Sequence, residues 1–300
     1  MASVADSVEA PDFRKQKGRL SQITSSVVVR QFRRNRHAVA GLVVIAFFFA
    51  AAALAPLIAP HNPIEFQLGS QLLPPSMTHP LGTDELGRDL LSRLLYGSRI
   101  TFVITFGAVA IAVLVGAAIG VVAGYFGGWV DQLAMRFMDI LLAMPMFLLA
   151  VAIIAALGPG TRNVIIAVGI GSIPVFARIA RGSTLSVKQE DYTLAVRAIG
   201  ASHSRIVVRH IVPNVLPPLL VQTTLRLATA ILTASGLSFL GLGPQPPTPE
   251  WGAMLSTGRN FLTSSPQLVI VPGMAILLVT IAFNLVGDGL RDALDPRVRR

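Results

Sequence analysis

Asp84, Glu85, Arg88 and Asp89 fall together in the segment GTDELGRD (82–89), a grouping that could hold a metal ion or run acid–base chemistry. Paired carboxylates beside an arginine are usually solvated or ion-paired, so a structural role is the expected one. Little else in the chain offers catalysis. There is no cysteine, hence no disulfide framework, thiolate metal site or thiol nucleophile. Five histidines and three tyrosines are scattered, and His203 and His210 read as solvated surface groups on a basic segment. No Gly-rich phosphate loop followed by Lys and Ser or Thr occurs, so nucleotide hydrolysis belongs to another chain if it is needed at all.

The elements that must position these groups are mostly apolar. Hydrophobic residues make up 53% of the 300 positions, charged ones only 13%, and the mean hydropathy is +0.65, which is the composition of a polytopic membrane protein. A net charge of +10 does not point to nucleic acid, because the basic residues flank apolar spans and do not form a basic face with interleaved aromatics. No strong internal repeat is visible.

Six spans are predicted, at 38–59, 102–125, 133–157, 163–180, 215–240 and 268–286. The fourth is the weakest, since Pro174 interrupts it and Arg178 ends it. Before them lies a basic tail, 1–37, too long and too charged for a cleaved signal; its first dozen residues are expected to be disordered and 27–36 to form an interfacial helix on anionic lipid. Residues 60–101 read as an extracytoplasmic segment with an amphipathic helix carrying Leu86, Leu90, Leu91, Leu94 and Leu95, and 102–290 as a five-helix core. A short tail, 291–300, ends the chain.

Orientation follows from the Lys and Arg near the span ends. With the N-terminus inside, the tail, Arg136, the 178–209 region and the C-terminus hold nearly all of them. The outer segments keep only Arg88, Arg93, Arg99, Arg162 and Arg259. Both termini are therefore expected to be cytoplasmic. Trp129 and Trp251 fall beside predicted interfaces, where aromatic belts lie.

One polar island, 190–218, separates two apolar segments and faces the cytoplasm in this topology, within a loop of 183–213. Tyr192, Ala195, Val196 and Ile199 recur at i, i+3, i+4 and i+7 and so share a helix face. Ser186 and Gln189 read as a capping box before that helix, and Gly200 as its left-handed C-cap. A second helix is expected over 202–210, with Pro213 marking a start or a break.

The spacing of this helix, Gly200 and Pro213 resembles the "EAA" loop of ATP-binding-cassette (ABC) importer permeases, with Leu194, Ala195 and Val196 at the motif's Glu-Ala-Ala positions. In that family the loop forms a coupling helix that docks on the cytoplasmic ATPase; Glu190 and Asp191 stand one turn upstream of the missing acid. Five segments in order are similar to the C-type permease of dipeptide, oligopeptide and nickel importers: FRRNRHAVAGLVV (32–44), HPLGTDELGRDLLSRLLYGSRIT (79–101), RHIVPN (209–214), LSFLGLGPQPPTPEWGAML (237–255) and DGLRDALDPR (288–297).

The resemblance implies an all-α, six-span type I importer fold in a bacterial or archaeal cytoplasmic membrane. It also implies a homologous B-type permease partner, two cytoplasmic ATPases that carry ATP and Mg, and an extracytoplasmic solute-binding protein. It implies no cofactor, metal or catalytic residue on this chain. The substrate class is di- or oligopeptides, with nickel or another small solute as the alternative; an ion-coupled secondary transporter is the rival from outside the family.

Arg226 is the conspicuous residue within a span. It lies about 20 Å along the helix from Pro213, near mid-membrane, where arginine is costly unless it faces a pathway or a partner. With Gln222, Thr223, Thr229 and Thr233 it could form a polar stripe lining a translocation pathway, or pair with the neighbouring subunit; the resembling family more often has a small or apolar residue there. Asp139, close to the end of its span, reads as a snorkelling or intersubunit group, and Asp288 and Asp292 as ordinary charges at a membrane exit.

Overall fold

The computed structural model describes residues 29–294, and among them the regular structure is helical apart from one isolated bridge between Thr83 and Asp89. The expectations for the first dozen residues and for the end of the C-terminal tail lie outside the described residues, as does the start of the proposed interfacial helix; 29–34 are helical. Asn35 then breaks the chain and caps α1 (Arg36–Ile58), its side chain accepting from the His37 and Ala38 N–H groups at 3.1 and 3.2 Å.

The second span is longer than its apolar run suggests. α2 (Leu90–Phe126) has 37 residues and is about 55 Å long, well over the hydrocarbon thickness. No separate amphipathic helix precedes position 102: Asp89 caps the N-terminus by accepting from Ser92 N, and nothing between Leu90 and Phe102 breaks the ladder. The third span departs in the opposite sense. It is split into α3 (Gly128–Ala143) and α4 (Met146–Leu157), bent by 92°. Pro145 has no N–H to give and pushes Met144 to an extended conformation, which stops a helix there.

α5 (Thr161–Lys188) runs through Pro174 and two turns past the predicted end, so Arg178 and Arg181 lie on a helix and not in a loop. α6 (Asp191–Ala198) and α7 (His203–Ile206) form the island. One wide π turn, Val207–Ile211, leads from α7 into α8 (Val212–Phe239). It sits just before Pro213, which cannot donate the ordinary bond to the Arg209 carbonyl. α9 (Trp251–Gly258) and α10 (Gln267–Leu294) are the last of the described helices. Among the described residues five helices are long and apolar enough to cross a bilayer, and counting the bent pair α3–α4 makes six.

α2 and α5 are the pair at the centre. Gly116, Gly120 and Gly124 fall on one stripe of α2, and there the α5 backbone comes so close that a Cβ on Gly120 would collide with the Ala177 carbonyl oxygen. Around this seam Ala108, Ala112, Val164, Val168 and Phe176 are fully or almost fully buried, and α8, α10 and α1 wrap it. Many large apolar side chains on the spans, Phe47, Leu114, Leu232 and Ile270 among them, stay on the outer surface, as lipid- or partner-facing residues do.

Candidate functional site

At one end of the bundle α2 and α5 finish together, and the island hangs from them. Lys188 Nζ donates to the Tyr125 carbonyl at 2.6 Å and stands over its ring, while Tyr125 Oη and His203 Nδ1 share a hydrogen bond of 2.7 Å. His203 is thus an anchor between α7 and the core, a role its surface-type sequence context did not indicate.

The capping box is not formed. Ser186 lies inside the last turns of α5 with its hydroxyl donating to Gly182 O, and Glu190 occupies the cap position of α6 without a side-chain bond. The cause is the extra length of α5, which carries Ser186 into its helix. The other end is as expected: Gly200 adopts φ +82°, its N–H bonds to Arg197 O at 3.0 Å, and Ala201 N–H reaches Val196 O at 3.3 Å. Those two bonds are a Schellman motif.

The apolar face of α6 divides. Val196 packs toward the core beside buried Thr193, whereas Tyr192, Leu194, Ala195 and Ile199 are exposed, Ile199 to 84%. Glu190 and Asp191 are exposed at the N-terminal end of the same helix. Behind them Asn214 Nδ2 donates to Tyr192 Oη at 3.3 Å, tying α6 to the first turn of α8, where Pro213 sits. An exposed apolar helix face braced from behind is a surface built for contact.

Arg226 is half-buried on α8. Its Nη1 is 3.7 Å from the Met146 sulfur, at the break between α3 and α4, and its Nε is buried without a hydrogen-bond partner. Among the described residues no carboxylate lies within ion-pair distance of it. Gln222 precedes Arg226 and Thr229 and Thr233 follow it at helical spacing, but the Thr223, Thr229 and Thr233 hydroxyls donate to carbonyls of their own helix. Arg226 therefore carries most of the stripe's unspent donor capacity. Asp139 is paired at 2.7 Å with Arg178 of the same chain, and Asp131 holds Arg181 through two bonds of 2.5 and 2.6 Å, so α3 is clamped to α5.

At the opposite end the 82–89 cluster is buried and internally paired. Arg88 bonds Asp84 at 2.7 Å and Glu85 at 3.1 Å, and Arg93 reaches Asp84 at 3.3 Å. Asp84 also accepts from the Leu86 and Arg88 N–H groups, which closes the turn. Trp251 is wholly buried with its indole N–H on Leu94 O, which corrects the expectation of an interfacial belt residue; Trp129 is exposed.

Glu250, also fully buried, caps α9 through Ala253 N and accepts from Thr101 Oγ1 at 3.1 Å. Burial pushes its carboxyl above the usual carboxylate range, against the pull of these donors. The folded chain then holds this proton more tightly than the unfolded one, so stability falls as pH rises from the ordinary glutamate value through the raised one. Glu250→Gln should remove that slope from apparent melting temperatures measured as pH rises above the ordinary glutamate range, and Glu250→Ala should cost about 1 kcal/mol with the cap.

The fold agrees with the solved MetNI methionine ABC transporter in inward-facing conformations, at a TM-score of 0.55 and 19% identity over 68% of this chain and 97% of that one. The model of the binding-protein-dependent transport system inner membrane component family matches residues 116–300, and that of the N-terminal TM domain of oligopeptide transport permease C matches 25–75.

Among curated relatives, a dipeptide transport system permease protein of Alkalihalophilus pseudofirmus is 45% identical over 270 residues, 90% of this chain and 89% of its own. A glutathione transport system permease protein of Escherichia coli is 46% identical over 275 residues, with the same coverage. The chain belongs to the family of inner membrane components of binding-protein-dependent transport systems, in its C-type permease branch.

Proposed function

We propose that this chain is one of two membrane subunits of an ATP-driven importer that carries di- or oligopeptides, with the pathway formed against a homologous B-type permease. A solute-binding protein delivers the peptide on the outer side, and two ATPases bind the island from the cytoplasm, where both termini also lie. The observation that carries this reading is the set of exposed apolar residues on α6, Tyr192, Leu194, Ala195 and Ile199, with α6 tied to α8 through Asn214 and Tyr192 and the adjoining α7 tied to the end of α2 through His203 and Tyr125. With leucine at position 194, contact with the ATPase rests on apolar burial there, and Glu190 and Asp191 supply the acidic groups. ATP drives transport because the closed ATPase pair favours one of two arrangements of the membrane pair. The curated relatives named for dipeptide and glutathione transport support a peptide-like substrate in preference to nickel.

A proton-coupled transporter needs an intramembrane acid free to take and release a proton. Asp131 and Asp139 are instead held by Arg181 and Arg178. Purification from the native membrane in mild detergent, with mass spectrometry and an ATPase assay, tests the assembly. A second permease and one or two Walker-type ATPases are expected. Recovery of this chain alone, with uptake that follows an ion gradient after reconstitution, would overturn the importer reading.

Arg226 gives the pathway a place to meet the peptide carboxylate, since its guanidinium is paired with no acid among the described residues. Arg226→Gln should lower uptake roughly 10- to 100-fold, the worth of one charge-assisted hydrogen bond, while leaving assembly intact. Unchanged uptake would remove Arg226 from the pathway.

A further inference from the structure

His61, His79 and Asp89 converge at the end of the bundle opposite the island, although 28 positions separate the first from the last. His61 lies just beyond α1, His79 in the connection, and Asp89 at the cap of α2. Asp89 Oδ1 is 3.0 Å from His79 Nδ1 and 3.8 Å from His61 Nδ1, and the three ligand atoms lie within 4.8 Å of one another. The two imidazoles stack at 4.6 Å. Ligands of a tetrahedral zinc ion with bonds of about 2.1 Å stand roughly 3.4 Å apart, so small side-chain shifts would bring these three into a coordination sphere.

Two further observations point to a ligand here. His61 Nδ1 is buried and has no hydrogen-bond partner, a costly state for a ring nitrogen aimed at a carboxylate. Asp89 has a fully buried side chain, yet the neighbouring Arg88 and Arg93 are committed to Asp84 and Glu85, and no guanidinium is paired with it among the described residues. Its Oδ2 is fixed by Ser92 N and Ser92 Oγ at 2.8 and 2.7 Å, and the same hydroxyl accepts from the His61 backbone N–H at 3.1 Å, so one serine orients the carboxylate and holds the His61 backbone beside it. His61 also borders an open cavity of about 620 Å³ shared with Asn62, Tyr96 and Thr248, by which an ion and its water would reach the edge of the cluster.

We propose that His61, His79 and Asp89 bind a divalent transition-metal ion, with zinc the ion that suits two imidazoles, one carboxylate and an open position. The ion joins the exit of α1 to the start of α2 and fixes the connection between them, outside the predicted pathway. The test uses the full chain in its assembled complex, purified through a tag without histidine and stripped with EDTA. Zn²⁺ is then titrated against a chromophoric chelator, and Co²⁺ is used as a spectroscopic probe.

Wild type should take up one more Zn²⁺ per copy of this chain than His61→Gln, whose site should be weakened at least about tenfold, and its Co²⁺ spectrum should show the intense visible bands of a tetrahedral site. His79→Gln should behave as His61→Gln; because His79 is buried, His61→Gln and the wild-type Co²⁺ spectrum decide the matter if that variant fails to fold. Equal Zn²⁺ uptake by wild type and His61→Gln, or Co²⁺ bands of the hexa-aquo ion alone, would overturn the site and leave His79 and Asp89 as a hydrogen-bonded pair.

Discussion

Replacing Gly120 with valine should leave little folded protein in the membrane. At this point α2 and α5 touch backbone to backbone: a Cβ would collide with the Ala177 carbonyl oxygen, with the Ala180 Cβ at 2.7 Å and Arg181 N at 2.9 Å. None of those atoms is the movable end of a side chain, so the helices themselves must part. Lipid tails are as apolar as the side chains they would replace, and close packing of small residues is what holds two helices together there. Overpacking an ordinary core costs about 1–3 kcal/mol. Here the separation also opens the contacts at Gly116 and Gly124, whose Cβ positions meet Ile173 O at 2.7 Å and Arg181 O at 2.9 Å, so the loss should exceed that range. Gly182 on α5 is the control, because nothing lies within 4 Å of its Cβ position; Gly182→Ala should be neutral or gain up to about 1 kcal/mol from helix propensity. Fluorescence-detected size-exclusion of tagged variants from solubilised membranes reads both. A monodisperse Gly120→Val peak of wild-type height would contradict the α2–α5 seam.

The spans were legible because apolar length is a property of composition, and composition survives folding. Their ends were less so. The expected start at 102 missed that α2 begins at the Asp89 cap, because Arg93 and Arg99 look like interruptions when in fact the helix projects beyond the hydrocarbon. The break at Pro145 was hidden inside a continuous apolar run, where hydropathy says nothing about backbone donors. On α6 the i, i+3, i+4 spacing identified a face but not which residues turn inward, and Val196 went to the core while Ile199 stayed outside. Gly200 was readable for a different reason: the left-handed cap is a local demand that the residue type itself announces. The pairs Asp139–Arg178 and Tyr125–His203 join positions 39 and 78 residues apart, and no spacing rule in one sequence points across such distances. The same is true of His61 and Asp89, whose nearness depends on where α1 ends relative to the α2 cap.

Gly200→Val should abolish ATP-driven uptake while the protein stays folded and membrane-bound. The space around Gly200 is open, so no clash is at issue; only the backbone conformation matters. At φ +82° an L-residue pays about 1–2 kcal/mol, and a β-branched one sits at the upper end. A long helix inside the bundle could absorb that cost, but α6 has eight residues, too few to be stable alone. Its shape depends on the two Schellman bonds from Gly200 and Ala201 and on its contacts with α8. Releasing the cap lets the α6–α7 angle relax, and Ile199, the most exposed apolar residue of the helix, moves away from the surface it is proposed to dock on. Asparagine tolerates the left-handed region better than alanine, and alanine better than valine, so uptake in vesicles of equal protein content should fall in the order Gly, Asn, Ala, Val. Co-purified ATPase should fall in parallel, which separates loss of docking from loss of the peptide site. A Cβ at Gly200 meets nothing within 4 Å, so yield in the membrane should be the same for all four. A flat series in both uptake and ATPase recovery would mean that the cap does not set the docking surface.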